Sequence, residues 1–70
     1  MGMTSDFNEL SFENLVRFYS EELRMIEQGE RATNVLTPRV RGRLRDVGIL
    51  AYRNMEWMIT EGAKKLLSML

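Results

Sequence analysis

Arg39, Arg41, Arg43 and Arg45 stand at alternate positions in the run Thr-Pro-Arg-Val-Arg-Gly-Arg-Leu-Arg-Asp that starts at Thr37. Guanidinium groups at this density do one kind of chemistry well. They neutralise phosphates, and each can grip guanine O6 and N7 with two parallel hydrogen bonds. Gly42, between them, lets a backbone approach closely. Further along, Arg53 and Asn54 form a second polar pair suited to a phosphate or a minor groove, and Arg31 is a third place for a phosphate contact. Each has a plain alternative. A basic helix can simply meet an acidic neighbour, and Arg53-Asn54 can be an ordinary polar turn. Lys64 and Lys65 read as solvated surface.

Other chemistry is poorly served. The chain has no His and no Cys, so disulfides and imidazole or thiolate metal sites are excluded. Its Ser and Thr residues stand where helices start, and Glu21-Glu22 and Glu27/Glu30 have the spacing of a helix surface. The expectation is therefore a protein that is not an enzyme and carries no metal and no small-molecule cofactor. The lack of Cys fits a cytoplasmic location. No apolar run approaches the roughly 20 residues that span a bilayer, so no membrane partner is expected.

Charge is balanced overall and uneven locally. Residues 1–30 hold seven carboxylates against two arginines, and residues 31–53 hold six arginines against one aspartate. Such a split gives an anionic partner a basic face and turns an acidic face away from it.

The elements that position these residues follow from spacing. Residues 1–10 are polar and are expected to form a flexible N-terminal arm. Ser11 is placed to cap a helix, with Leu10 and Leu15 as its hydrophobic staple. Phe12, Leu15, Val16, Tyr19, Leu23 and Ile26 recur at three- and four-residue steps as one apolar stripe, and Gly29 stops or weakens the run. Ser20-Glu21-Glu22 could instead start a separate helix. Residues 29–36 read as a connection with a short turn or strand at Val35-Leu36. Thr37 is the next N-cap and Pro38 fits the first helical position, where its missing N–H costs nothing. Val40, Leu44 and Val47 form the buried stripe of this helix. Arg39 and Arg43 flank it on one side, Arg41 and Arg45 on the other. Gly48 has the place of a left-handed C′ residue.

Residues 49–60 allow two readings. The favoured one is a hairpin, with strands 49–53 and 56–60 joined at Asn54-Met55, since Tyr, Trp, Ile and Thr suit strands. No glycine follows Asn54, so the preferred turn dipeptide is absent. The other reading is helical, with Tyr52, Met55, Ile59, Ala63, Leu66 and Leu70 on one face, or with Asn54 capping a helix from Met55. In the hairpin reading Thr60 caps the last helix. Trp57 is expected to pack at the hairpin root, with base stacking as its functional alternative.

The run R-L-R-D-V-G-I-L, a short polar-aromatic segment and W-M-I-T-E-G-A-K-K-L-L resemble the second half of small winged helix-turn-helix DNA-binding regulators. The resemblance implies a mainly α fold with a small β-hairpin, over a single winged-helix-like domain at 11–70. The alternative is an all-α three-helix domain. It also implies a transcriptional regulator that places helix 37–47 in the major groove of double-stranded DNA. Thr37, Arg39, Arg41, Arg43, Arg45, Arg53 and Asn54 are then the expected contact residues. Seventy residues cannot bury every apolar side chain, so Phe18 and Met25, on a second face, and the Leu66, Leu67 and Leu70 tail form an expected homodimer interface. The competing function is a helical protein-interaction module or a subunit of a larger complex.

Overall fold

The computed structural model describes the backbone from Met3 to Leu70 and the side chains from Ser11 onward. The elements are α1 (Met3–Phe18), α2 (Ser20–Glu27), α3 (Ala32–Val35), α4 (Pro38–Asp46), β1 (Leu50–Arg53), β2 (Glu56–Ile59) and α5 (Glu61–Met69). The protein is mainly helical with one two-stranded antiparallel sheet.

The helix expected to start at Ser11 starts earlier. Ser11 lies inside α1, so it caps nothing, and the arm expected over 1–10 is helical from Met3. The side chains of that arm, Leu10 of the staple included, lie outside the described residues. The long apolar run divides at Tyr19, as the Ser20-Glu21-Glu22 alternative requires. Two carboxylates in the first turn of α2 favour a helix start there, because the N-terminal end of a helix carries partial positive charge. Hydrogen bonds still bridge the break: Tyr19 N–H donates to Leu15 O at 3.0 Å and Leu23 N–H to Tyr19 O at 2.8 Å.

Both expected glycine stops are realised with the same hydrogen-bond pattern. After α2, Gly29 takes φ 111°, Gly29 N–H donates to Ile26 O and Glu30 N–H to Met25 O. After α4, Gly48 takes φ 88°, Gly48 N–H donates to Arg45 O and Ile49 N–H to Leu44 O at 2.8 Å. These paired bonds satisfy the last carbonyls of each helix, and only glycine adopts the left-handed C′ conformation without cost. In the second case the residues that close the motif, Leu44 and Ile49, are both fully buried.

Residues 29–36 differ from expectation. Instead of a turn or strand at Val35-Leu36 there is a one-turn helix, Ala32–Val35, followed by Leu36 in extended conformation. Burial of Ala32 and Leu36 fixes this turn, and only Leu36 and Thr37 separate it from α4. The helical reading of 49–60 is excluded. Leu50 pairs with Ile59, Ala51 with Met58, Tyr52 with Trp57 and Arg53 with Glu56. The strands are 50–53 and 56–59, one residue shorter at the outer ends than expected, because Ile49 and Thr60 serve the helix ends.

Val16, Leu23, Leu36, Leu44, Ile49, Leu50, Ile59, Ala63 and Leu67 form the core. Every element except the one-turn α3 contributes to it, and α3 adds the buried Ala32. Each fully buried Leu or Ile is worth about 1.5–3 kcal/mol relative to exposure. α1 packs on α5, α2 on α3 and β2, and α4 on β1. Gly62 sits where α5 meets α1: a Cβ there would lie 3.7 Å from the Phe12 ring.

Candidate nucleic-acid interface

Thr37 starts α4 as expected. Its Oγ1 accepts the Val40 N–H at 3.2 Å, and Pro38 occupies the first turn. With Leu44 fully buried and Val40 and Val47 packed against the core, the helix has one fixed rotation about its axis. That rotation leaves Arg39, Arg43 and Arg45 exposed, with Gly42 and Asp46 between them. Nothing would lie within 4 Å of a Cβ on Gly42, so the helix backbone there is open to close approach. Among the described residues the one ion pair is Arg17 with Glu13 at 2.8 Å, within α1. Among the described residues the exposed α4 arginines therefore have no carboxylate partner.

Arg41 departs from its expected place. It is half-buried, and its guanidinium lies 5.4 Å from the centre of the Trp57 ring. Its Nε is buried without a hydrogen-bond partner. The reason is the hairpin: β2 brings Trp57 beside the flank of α4 that carries Arg41, and a long side chain at the edge of an apolar stripe lays its stem over the nearest apolar surface. Arg41 thus braces α4 against the hairpin, while Arg39, Arg43 and Arg45 remain the exposed set. Trp57 is half-buried and also meets Tyr52 across the strands, with ring centres 5.0 Å apart.

The hairpin places Arg53 and Asn54 exposed at its tip. Asn54 and Met55 have φ 53° and 62°, the signature of a type I′ turn, whose twist matches the strands it joins. The loop therefore forms without the glycine that usually follows Asn. Beneath the tip is an open groove of about 380 Å³, lined in part by Ile26, Arg31, Thr33, Met55 and Trp57. Arg31, at the start of α3, is exposed there.

Thr60 joins the helix end to the sheet. Its Oγ1 lies 2.6 Å from Gly48 O and 3.2 Å from Ile49 O, and accepts the Ala63 N–H at 3.4 Å. Its own N–H donates to Ile49 O at 3.0 Å. One residue thus caps α5 and ties the C-terminal end of α4 to the end of β2.

The residues expected at a dimer interface separate into two groups. Phe18 (76% exposed), Met25 and Leu70 are on the surface. Leu67 is buried and Leu66 packs against the core, so neither offers a free surface. The cause is α5 itself, whose packing on α1 turns Ala63 and Leu67 inward. One contact had no signal in the sequence: Arg24 reaches Leu67 O at 3.4 Å and satisfies the end of α5. Met55, in the expected turn, is 83% exposed.

Among the described residues no group of carboxylates is arranged to hold a metal ion, and no helix is long and apolar enough to cross a membrane. Comparison with protein-family models, with curated proteins and with solved structures gives no match.

Proposed function

We propose that this chain is a winged helix-turn-helix DNA-binding protein, a transcriptional regulator that works as a homodimer. α3 and α4 form the helix-turn-helix, α4 enters the major groove, and the β1–β2 hairpin is the wing. One observation carries this reading: Arg39, Arg43 and Arg45 are exposed on a helix whose rotation is fixed by the core, and among the described residues no carboxylate pairs with them. Unpaired arginines on a rigid helix lose little on meeting phosphates and release counterions when they do. Arg53 and Asn54, at the end of a hairpin braced by Arg41 and Trp57, provide the second contact. Thr37 lies at the start of α4 and positions that helix through its cap. Phe18, Met25 and Leu70 form the surface that joins two copies.

Binding of the full chain to a random duplex over a range of salt concentrations tests the reading. The logarithm of the binding constant should fall linearly with the logarithm of salt concentration, with a slope of about −0.9 per phosphate neutralised. Arg45→Ala should weaken binding by about 1–3 kcal/mol if it reads a base edge, or lower the slope by about one unit if it holds a phosphate. Lys65→Ala is the control and should change little. Binding that is absent, or insensitive to salt and to Arg45→Ala, favours the second reading, a protein-interaction module. The observation behind that reading is the exposed apolar set Phe18 (76%) and Met69 (75%).

A further inference from the structure

The hairpin tip holds a residue that folding alone disfavours. A two-residue loop with both residues in the left-handed region is most easily built as Asn-Gly. Asn54 suits its place, whereas Met55 at φ 62° carries a Cβ into a region that L-residues avoid. Met55 is 83% exposed, so packing does not offset that cost. Its neighbours Arg53 and Asn54 are exposed as well. Arg53 stands opposite Glu56 across the strands, and the two form no ion pair. The hairpin base, in contrast, is fixed. Leu50 and Ile59 are in the core, Tyr52 and Trp57 pack across the strands, and Arg41 covers Trp57. An apolar side chain is thus held at the end of a braced strut, between the cation and amide of Arg53-Asn54 and the carboxylate of Glu56.

We propose that Met55 is a wedge that enters the minor groove of duplex DNA and partly unstacks one base step, while Arg53 and Asn54 hold the groove beside it. This rests on the DNA-binding reading above and adds to it a determinant of specificity. Apolar wedges between base steps, accompanied by Arg or Asn in the groove, kink a duplex toward the major groove. Pyrimidine–purine steps unstack most readily and A-tracts resist deformation, so a wedge selects sequence without reading any base edge. Methionine fits this role because its unbranched chain and polarizable sulfur adapt to irregular apolar surfaces. Arg53 and the amide of Asn54 beside it favour DNA over an apolar protein pocket, which would bury Met55 with no preference among base steps, and the exposed Glu56 is the one opposing charge at the tip.

The experiment uses the full chain and two duplexes of equal length, one with a central TA step and one with a central A-tract. Competition gives the affinity ratio, and energy transfer between labelled ends reports bending. The parent should favour the TA duplex by about tenfold and bend it. Met55→Gly keeps the turn, relieves its backbone and should bind both duplexes alike without bending. Met55→Leu keeps an apolar wedge and should retain both the preference and the bend. Equal binding of both duplexes by the parent, or a bend and preference that survive Met55→Gly, would overturn the wedge and leave the α4 contact standing. Absence of salt-sensitive binding to either duplex would overturn the wedge and the DNA-binding reading together.

Discussion

The Arg41 guanidinium lies over the Trp57 ring at 5.4 Å and so links α4 to the second strand of the hairpin. The contact has two opposing parts. The cation gains from the ring face, and the buried Nε loses a hydrogen bond that water would have supplied. Arg41→Ala removes the stem as well as the charge and should cost about 1–2 kcal/mol. Arg41→Met keeps a stem over Trp57 and removes the unpartnered N–H, so stability should stay within about 0.5–1 kcal/mol of the parent. A double-mutant cycle with Trp57→Leu, read from urea midpoints, should give a coupling of about 0.5–1 kcal/mol. Zero coupling would mean that the two side chains do not meet in solution.

Met55 gives a prediction about stability that does not depend on any partner. A left-handed backbone costs an L-residue about 1–2 kcal/mol, and glycine avoids most of it. Met55→Gly should therefore stabilise the protein by about 1 kcal/mol, a rise of about 4–8 °C in Tm for a domain of this size. A fall in Tm would show that the Met55 side chain makes a stabilising contact.

Thr60 serves three bonds at once. Thr60→Val has the same shape but cannot donate to Gly48 O or accept from Ala63 N–H, and it should cost about 1–2 kcal/mol. Thr60→Ser keeps the hydroxyl and should recover most of the loss. If Val and Ser behave alike in thermal unfolding, the hydroxyl is not what ties α4 to α5.

Assembly is checked by separating surface from core. Phe18→Glu and Met25→Glu lie on the surface and should change stability by no more than about 0.5 kcal/mol. If two copies meet there, sedimentation should report a dimer for the parent and a monomer for these variants. Leu67→Ala should instead destabilise the fold by about 2–5 kcal/mol, because it opens a cavity among buried neighbours. A parent that sediments as a monomer at micromolar concentration sinks the dimer and makes a palindromic binding site unlikely.

The sequence by itself determined the features that depend on local chemistry. Thr37 caps a helix because a hydroxyl at that offset meets a free N–H, whatever surrounds it, whereas Thr60 caps α5 only once the hairpin before it is settled. Gly29 and Gly48 end helices because a left-handed residue is needed there. The Val40/Leu44/Val47 stripe set the rotation of α4 and with it the exposure of Arg39, Arg43 and Arg45. Charge segregation is also a property of the chain alone.

Only the tertiary structure decided the rest. Residues 49–60 had helical and strand patterns of similar strength, and burial of Leu50 and Ile59 in one core settled the choice for the hairpin. The same packing was strong enough to hold Met55 in a turn that its own residue type disfavours. α3 has four residues, too few to show a period, and exists because Ala32 and Leu36 are buried. Arg41 and Arg45 are equivalent along the helix, but only Arg41 has an indole beside it. Leu67 and Phe18 are equally apolar, and contact between α5 and α1 buries one and leaves the other in solvent. In each case the deciding partner is far away in sequence, and spacing along the chain carries no information about contacts of that kind.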